Sequence, residues 1–208
     1  MKTTVLAWLC LIVAAGATSC SSDAVKKDPH HSLPSPIHTN VSPAPEVVVQ
    51  QFLTWFSPNQ ERLNSLPIVP AWLVDDGDTT DIYSIDFQVA EQYLEAFRSS
   101  GFFSKGYVET ERKHFHQADS TMKQVRQWAG PPEGLNYDRV VFSQDPQADL
   151  EKLRRTKPTV TINGDTAHVL FTQLPKPEDL REGVDLKFLL LRQQGKWLIE
   201  NIRPVFEQ

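Results

Sequence analysis

The residues best suited to proton-transfer chemistry are the neighbours Tyr137-Asp138 and, three positions apart, Glu111 and His114. A carboxylate or imidazole serves as a general base when its surroundings bring its pKa near neutrality, and a developing oxyanion then needs a donor such as a tyrosine hydroxyl. Glu111 and His114 share one face of a helical stretch, while His116 and Asp119 repeat the spacing on a face turned away by about 140°, at about 100° per residue. The two pairs cannot meet at one metal ion, and no second helix supplies the matching pair of a two-metal bundle.

Each of these residues also has a plainer reading. Glu111 and His114 lie on the side of Tyr107, Ala118 and Met122; either they pair with each other inside the fold, or the helix begins late and that side is wet. The aspartates of Tyr137-Asp138 and Gln144-Asp145 suit turns, where the side chain caps nearby backbone. The acidic run Asp75-Asp76-Gly77-Asp78 fails the calcium-loop ladder: counted from Asp76, position six is Asp81 in place of glycine and position twelve is Phe87 in place of glutamate. His30, His31 and His38 lack fixed spacing and read as solvated spacer. The expectation is a chain with no catalytic set, no metal and no cofactor, leaning away from enzyme activity.

The start of the chain says where it works. Met1–Ser19 carries one cation, Lys2, then an almost wholly apolar run from Val5 to Ala15 that is too short to span a bilayer, so it reads as a secretory leader. Ala17-Thr18-Ser19-Cys20 resembles the box at which bacterial lipoproteins are cleaved and acylated, with Ala17 where leucine is usual. Cys10 leaves with the leader, so Cys20 becomes the lone mature cysteine; no internal disulfide can form, and a thioether to lipid removes a reactive thiol. Residues 20–44 are rich in Ser, Pro, His and Lys and read as a flexible tether. The chain is thereby expected on a membrane of the bacterial envelope through lipid on Cys20. Ser21 favours the outer membrane by resemblance to enteric sorting.

The net charge of −5, one unit more negative once Lys2 is removed, gives no drive toward nucleic acid. Residues 45–208 are enough for a single domain with a real core. A first helix begins at Pro45, with Ser42 as its cap and Val47, Val48, Phe52, Leu53, Trp55 and Phe56 as its stripe. Ser57–Asp81, with Pro58, Pro67 and Pro70, is predicted to be largely loop. Phe87, Ala90, Tyr93, Leu94 and Phe97 trace a second helix closed by Gly101. A third runs from Lys105 to about Trp128, with Tyr107, Val108, Phe115, Met122 and Val125 inside, and is stopped by Gly130-Pro131-Pro132.

Two hairpins come next, turning at Asn163-Gly164 and at Gln194-Gly195. If Gln193 faces Lys196, then Phe188, Leu190, Trp197 and Ile199 share one face, and Leu189, Leu191, Leu198 and Ile202 share the other. Leucines on both sides predict one face over the helices and the other at a cavity rim or a partner. The whole is an α+β arrangement, three helices on a curved antiparallel sheet.

Tyr93-Leu94, Phe102-Phe103-Ser104, Tyr107, Phe115, Gly130-Pro131, Gly134-Leu135-Asn136-Tyr137-Asp138 and Ser143-Gln144-Asp145 together resemble a family of bacterial lipoproteins known only as a domain of unknown function. The resemblance implies the strongly curved cone of nuclear transport factor two and ketosteroid isomerase, a cystatin-like fold. Gly195-Lys196-Trp197-Leu198-Ile199 and Ile202 are similar to that superfamily's last hairpin. The cone hosts enzymes, carriers and interaction modules, so the resemblance informs the fold more than the function.

Three functions are open on these residues. The first is a non-catalytic module binding a small apolar ligand or an envelope protein, with Phe97, Tyr107, Phe115, Tyr137, Asp138, Phe188 and Trp197 as candidate contacts; the aromatic members also fit plain core. The second is an isomerase- or dehydratase-like enzyme acting on a small hydrophobic molecule. The third is a homodimer built on the outer sheet face.

Overall fold

In the computed structural model, which describes residues 42–73, 81–172 and 185–205, the alternating apolar residues of the last third pair as a four-stranded antiparallel meander. Its strands are β1 (Thr159–Asn163), β2 (Thr166–Phe171), β3 (Asp185–Gln193) and β4 (Lys196–Val205), in the order β1-β2-β3-β4. Gln193 pairs with Lys196 around Gln194-Gly195, and both turn residues have positive φ, 51° and 79°. The first hairpin turns one residue later than expected. Asn163 pairs with Thr166, the turn is Gly164-Asp165, and only Gly164 takes a positive φ, 59°; with glycine in the first central position, Asn163 is left to the ladder.

The expected division of sheet faces holds for Phe188, Leu190, Trp197 and Ile199, which are buried, and for Leu189, Leu191 and Leu198, which are partly exposed. Ile202 departs from it and is buried. Leu190 pairs with Ile199 while Leu189 pairs with Asn201, so Glu200 is one extra residue in β4. That bulge swings the rest of the strand by one position and puts Ile202 opposite Phe188 on the inner face. It also turns Ile199 toward the segment before the third helix. Ile199 N donates to Phe102 O at 2.8 Å, Ser104 N donates to Ile199 O at 3.0 Å, and the Ser104 hydroxyl meets the Glu200 carboxylate.

Four α-helices are described where three were expected: α1 (Pro45–Asn64), α2 (Phe87–Ser100), α3 (Lys105–Gln124) and α4 (Pro146–Arg155). α1 continues past Pro58 through residues expected to be loop, because Leu63 still has a core position to fill, and Asn59 Nδ2 donates to Trp55 O beside the break in the ladder. Its N-cap is Ala44, with no side-chain bond, so Ser42 does not cap it. Asp86 caps α2 by accepting from Gln88 N and Val89 N, and Gly101 closes it at φ 76°. α3 stops at Gln124, short of Trp128. Arg126 takes φ 53°, Gln127 N donates to Met122 O, and Arg126 N donates to Lys123 O. Met122 is the last buried residue of this helix, and Val125, expected inside, is 63% exposed.

α1 packs on β2, β4 and α4, and α3 packs on β4 and α2, so the helices cover the inner sheet face. The space between is filled by rings. Phe52 lies edge-on to Phe103 at 4.9 Å, Phe103 lies 4.3 Å from Tyr107, and Phe188 lies 5.7 Å from Phe171. Cys20, the leader, most of the tether and the Asp75–Asp78 run lie outside the described residues.

Candidate functional site

Asp138 organises the loop between α3 and α4. Its Oδ1 accepts from Val140 N at 2.8 Å and Val141 N at 2.9 Å, and its Oδ2 accepts from Asn64 Nδ2 at 2.8 Å. Asp138 N donates to Ser143 O and Phe142 N donates back to Asp138 O, which closes a turn with Phe142 at φ 54°. Val140 and Val141 are the buried anchors that fix this turn to the core. Turn chemistry is therefore the part Asp138 plays, as its residue type implied. It is also buried.

Beside it lies an ion pair. Arg139 Nη2 meets Glu111 Oε1 at 3.0 Å and Arg139 Nε meets Oε2 at 3.2 Å, while Nη1 donates to the Tyr137 hydroxyl at 3.1 Å. The guanidinium also lies over the Tyr137 and Phe142 rings, 5.7 and 5.5 Å from their centroids. Glu111 and His114 therefore do not pair with each other. Arg139, from a loop 28 residues away, offers Glu111 a two-pronged partner that a helix neighbour cannot. His114 instead meets Gly134 O at 2.9 Å, and a carbonyl can only accept, so Nε2 carries the proton. Burial pushes the His114 pKa down and the Arg139 charge pushes it further, so the ring is neutral at pH 7.

Two tyrosines complete the surroundings. The Tyr107 hydroxyl is buried with no hydrogen-bond partner among the described residues. Tyr93 and Tyr107 are held well above the usual phenol range, first by burial and then by nearby carboxylates. The other helix pair is engaged locally: Asp119 accepts from Ile85 N at 3.0 Å and Lys123 Nζ at 2.7 Å, and His116 stacks on Phe87 at 4.4 Å. Among the described residues, no three His, Cys, Asp or Glu side chains come together as a metal site.

Asp138 and Arg139 face a cavity of about 490 Å³. One wall is formed by the end of α1 and the segment just after it, through Leu63, Asn64, Leu66, Ile68 and Val69. The floor holds the Tyr93 and Phe115 rings, and the far wall is the loop from Pro131 to Pro146. The lining is a little more than half apolar, and its charged side chains are Asp138 and Arg139. Of the seven candidate contacts, Phe115, Tyr137 and Asp138 line this cavity. Phe97, Tyr107, Phe188 and Trp197 are packed in the core between helices and sheet.

Arg139, Tyr93 and Asn64 line the cavity and were not among the candidate contacts, Tyr93 having been read as helix core and as part of the family-like motif. A weak sign existed for Arg139, a lone cation directly before the apolar run Val140-Val141-Phe142. Asn64 had none, because its value comes from a contact 74 residues away. Comparison of the chain with protein families, with characterised proteins and with solved structures finds no match.

Proposed function

We propose that this domain binds a small, largely apolar ligand in the cavity between the end of α1 and the 131–146 loop, as the folded part of a lipid-anchored protein of the bacterial envelope. The observation that carries the reading is the cavity itself, about 490 Å³, with an apolar wall of Leu63, Leu66, Ile68 and Val69 facing a polar one that holds Asn136, Asp138, Arg139 and Gln144. The volume is that of small-molecule sites. Attachment rests on Cys20 after the leader-like Met1–Ser19. The helices over one face of a four-stranded antiparallel sheet support the cone of nuclear transport factor two as the underlying fold. The test is an NMR screen of small aromatic and alicyclic fragments. Binders should shift Leu135, Tyr137 and Val69 together and be lost in Leu135→Trp, which fills the space. A screen to millimolar fragment in which no cavity residue responds would overturn the reading.

A catalytic reading, proton abstraction next to a carbonyl, is favoured by one observation: Asp138 is buried in this cavity beside Tyr137. Against it, three of the carboxylate's acceptor positions already grip the loop and α1. Exchange of a bound ketone's α-hydrogens into D2O, faster than buffer and lost in Asp138→Asn, would establish it. A homodimer through the outer sheet face is favoured by Leu170, Leu189, Leu191 and Leu198, all partly exposed there. Sedimentation velocity of the chain tests it.

A further inference from the structure

An arginine in an apolar cavity suggests an anchor for a carboxylate or phosphate, but the charges here are already distributed otherwise. Arg139 uses three of its five N–H groups, two nitrogens on Glu111 and Nη1 on the Tyr137 hydroxyl. Its positive charge is matched by the Glu111 carboxylate at hydrogen-bond distance. Asp138 has no such counter-ion among the described residues. Its three donors are two backbone N–H groups and the Asn64 amide, all neutral. They offset the loss of water around the carboxylate, yet leave its net charge in place.

His114, the other group near the pair that could turn positive, is held toward its neutral form by burial and by the Arg139 charge. The sum over Glu111, Arg139 and Asp138 is one negative charge. Tyr93, on the cavity floor, feels that sum: burial aside, Asp138 and Glu111 each raise its pKa by more than Arg139 lowers it. A carboxylate also has about four acceptor positions, and only three are filled, which leaves one on Oδ2 without a donor among the described residues.

We infer that the cavity selects an organic cation, a small amine carried on an apolar body, with the ammonium donating to Asp138 Oδ2 and the body lying against Leu66, Ile68, Phe115 and Leu135. This rests on the reading of the cavity as a ligand site and adds the sign of the ligand's charge. An ammonium supplies a second donor for Oδ2, beside the Asn64 amide, and the counter-charge that Asp138 lacks. An anionic ligand would meet a net negative site; the two Arg139 N–H groups left over could donate to it, but the charge behind them is already matched by Glu111.

The experiment is a three-probe titration of the purified chain at pH 7, by calorimetry with NMR mapping: phenethylamine, 2-phenylethanol and phenylacetate, alike in body and differing in charge. The expected result is that the amine binds at least about tenfold tighter than the alcohol or the acid, with shifts at Leu135, Tyr137 and Val69. In Asp138→Asn that folds by circular dichroism, the preference should vanish. Equal affinities, or a tighter acid, would overturn the charge assignment while leaving the cavity a ligand site. Shifts from none of the three probes would overturn both readings, and an amine preference that survives in folded Asp138→Asn would overturn the role of Asp138. The comparison of probes on the unaltered chain needs no variant to fold.

Discussion

Glu111 and Arg139 face each other as a planar two-bond pair, with side chains only 8% and 14% exposed. Neither charge has enough water around it to stand alone. Removing one partner from a buried pair strands the other and typically costs about 3–5 kcal/mol, whereas replacing both with apolar groups of similar size is often close to neutral. Arg139→Leu is therefore expected to lower the urea midpoint sharply. Glu111→Leu combined with Arg139→Met should restore most of the loss. A single variant as stable as the parent would show that the pair is solvated.

The histidines set a pH dependence. Burial lowers the His114 pKa, with the Arg139 charge second, and burial followed by Lys187 and Arg203 lowers that of His168. Both are folded-state values below the unfolded value of about 6.5. The unfolded chain therefore binds more protons, and the stability carried by neutral imidazole is complete above about pH 6.5 and lost as pH falls from there toward the folded pKa. The denaturant midpoint should drop between pH 7.5 and pH 5.5. His114→Gln, which keeps a donor for Gly134 O, should flatten part of that slope. A midpoint that rises over the same interval would contradict the assignment.

Arg126 ends α3 in the left-handed region, φ 53°, with its side chain in solvent. A residue with a Cβ is strained there, in a conformation that glycine takes freely. Arg126→Gly should raise stability by about 0.5–1 kcal/mol, read as a higher melting temperature. A lower one would mean that the arginine side chain has a contact worth more than the strain.

Trp197 is 7% exposed at the end of the last hairpin, opposite Arg192, whose guanidinium lies 5.8 Å from the ring centroid. Trp197→Ala should cost about 3–5 kcal/mol by denaturant midpoint. A loss of a few tenths would place the ring's worth in contacts outside this fold.

The sheet was legible in the sequence because period-two patterning and glycine turns are local signals. Phe188, Leu190, Trp197 and Ile199 could be put on one face from spacing alone. The Glu200 bulge could not, because one extra polar residue between Ile199 and Ile202 looks the same as ordinary alternation until the partner strand counts it. α4 was missed for a different reason: only Leu150 and Leu153 of its ten residues are buried, and its other side chains carry no stripe for a periodicity to find. Its start signals, Asp145 as cap and Pro146 in the first turn, were present, and Asp145 was read as a turn residue. The cavity was least legible. Its walls come from α1, α2, α3 and the loop after α3, so no window of sequence contains it, and Arg139, Asn64 and Tyr93 acquire their meaning only from one another.

The Asn64–Asp138 bond is the latch between two walls that share no strand pairing. The sheet is held by continuous ladders, whereas the 131–146 loop is held by side-chain bonds and by Leu135, Val140, Val141 and Phe142 packed on the core. The two regions can open at different free energies, and the loop should open first. Amide exchange at Val140 and Val141 should thus run ahead of that at Phe188 in the unliganded chain, and a bound molecule should slow the former while leaving the latter unchanged. On that expectation the domain is a stiff frame carrying one looser panel, and the lifetime of the closed panel is the quantity that a bound molecule would lengthen.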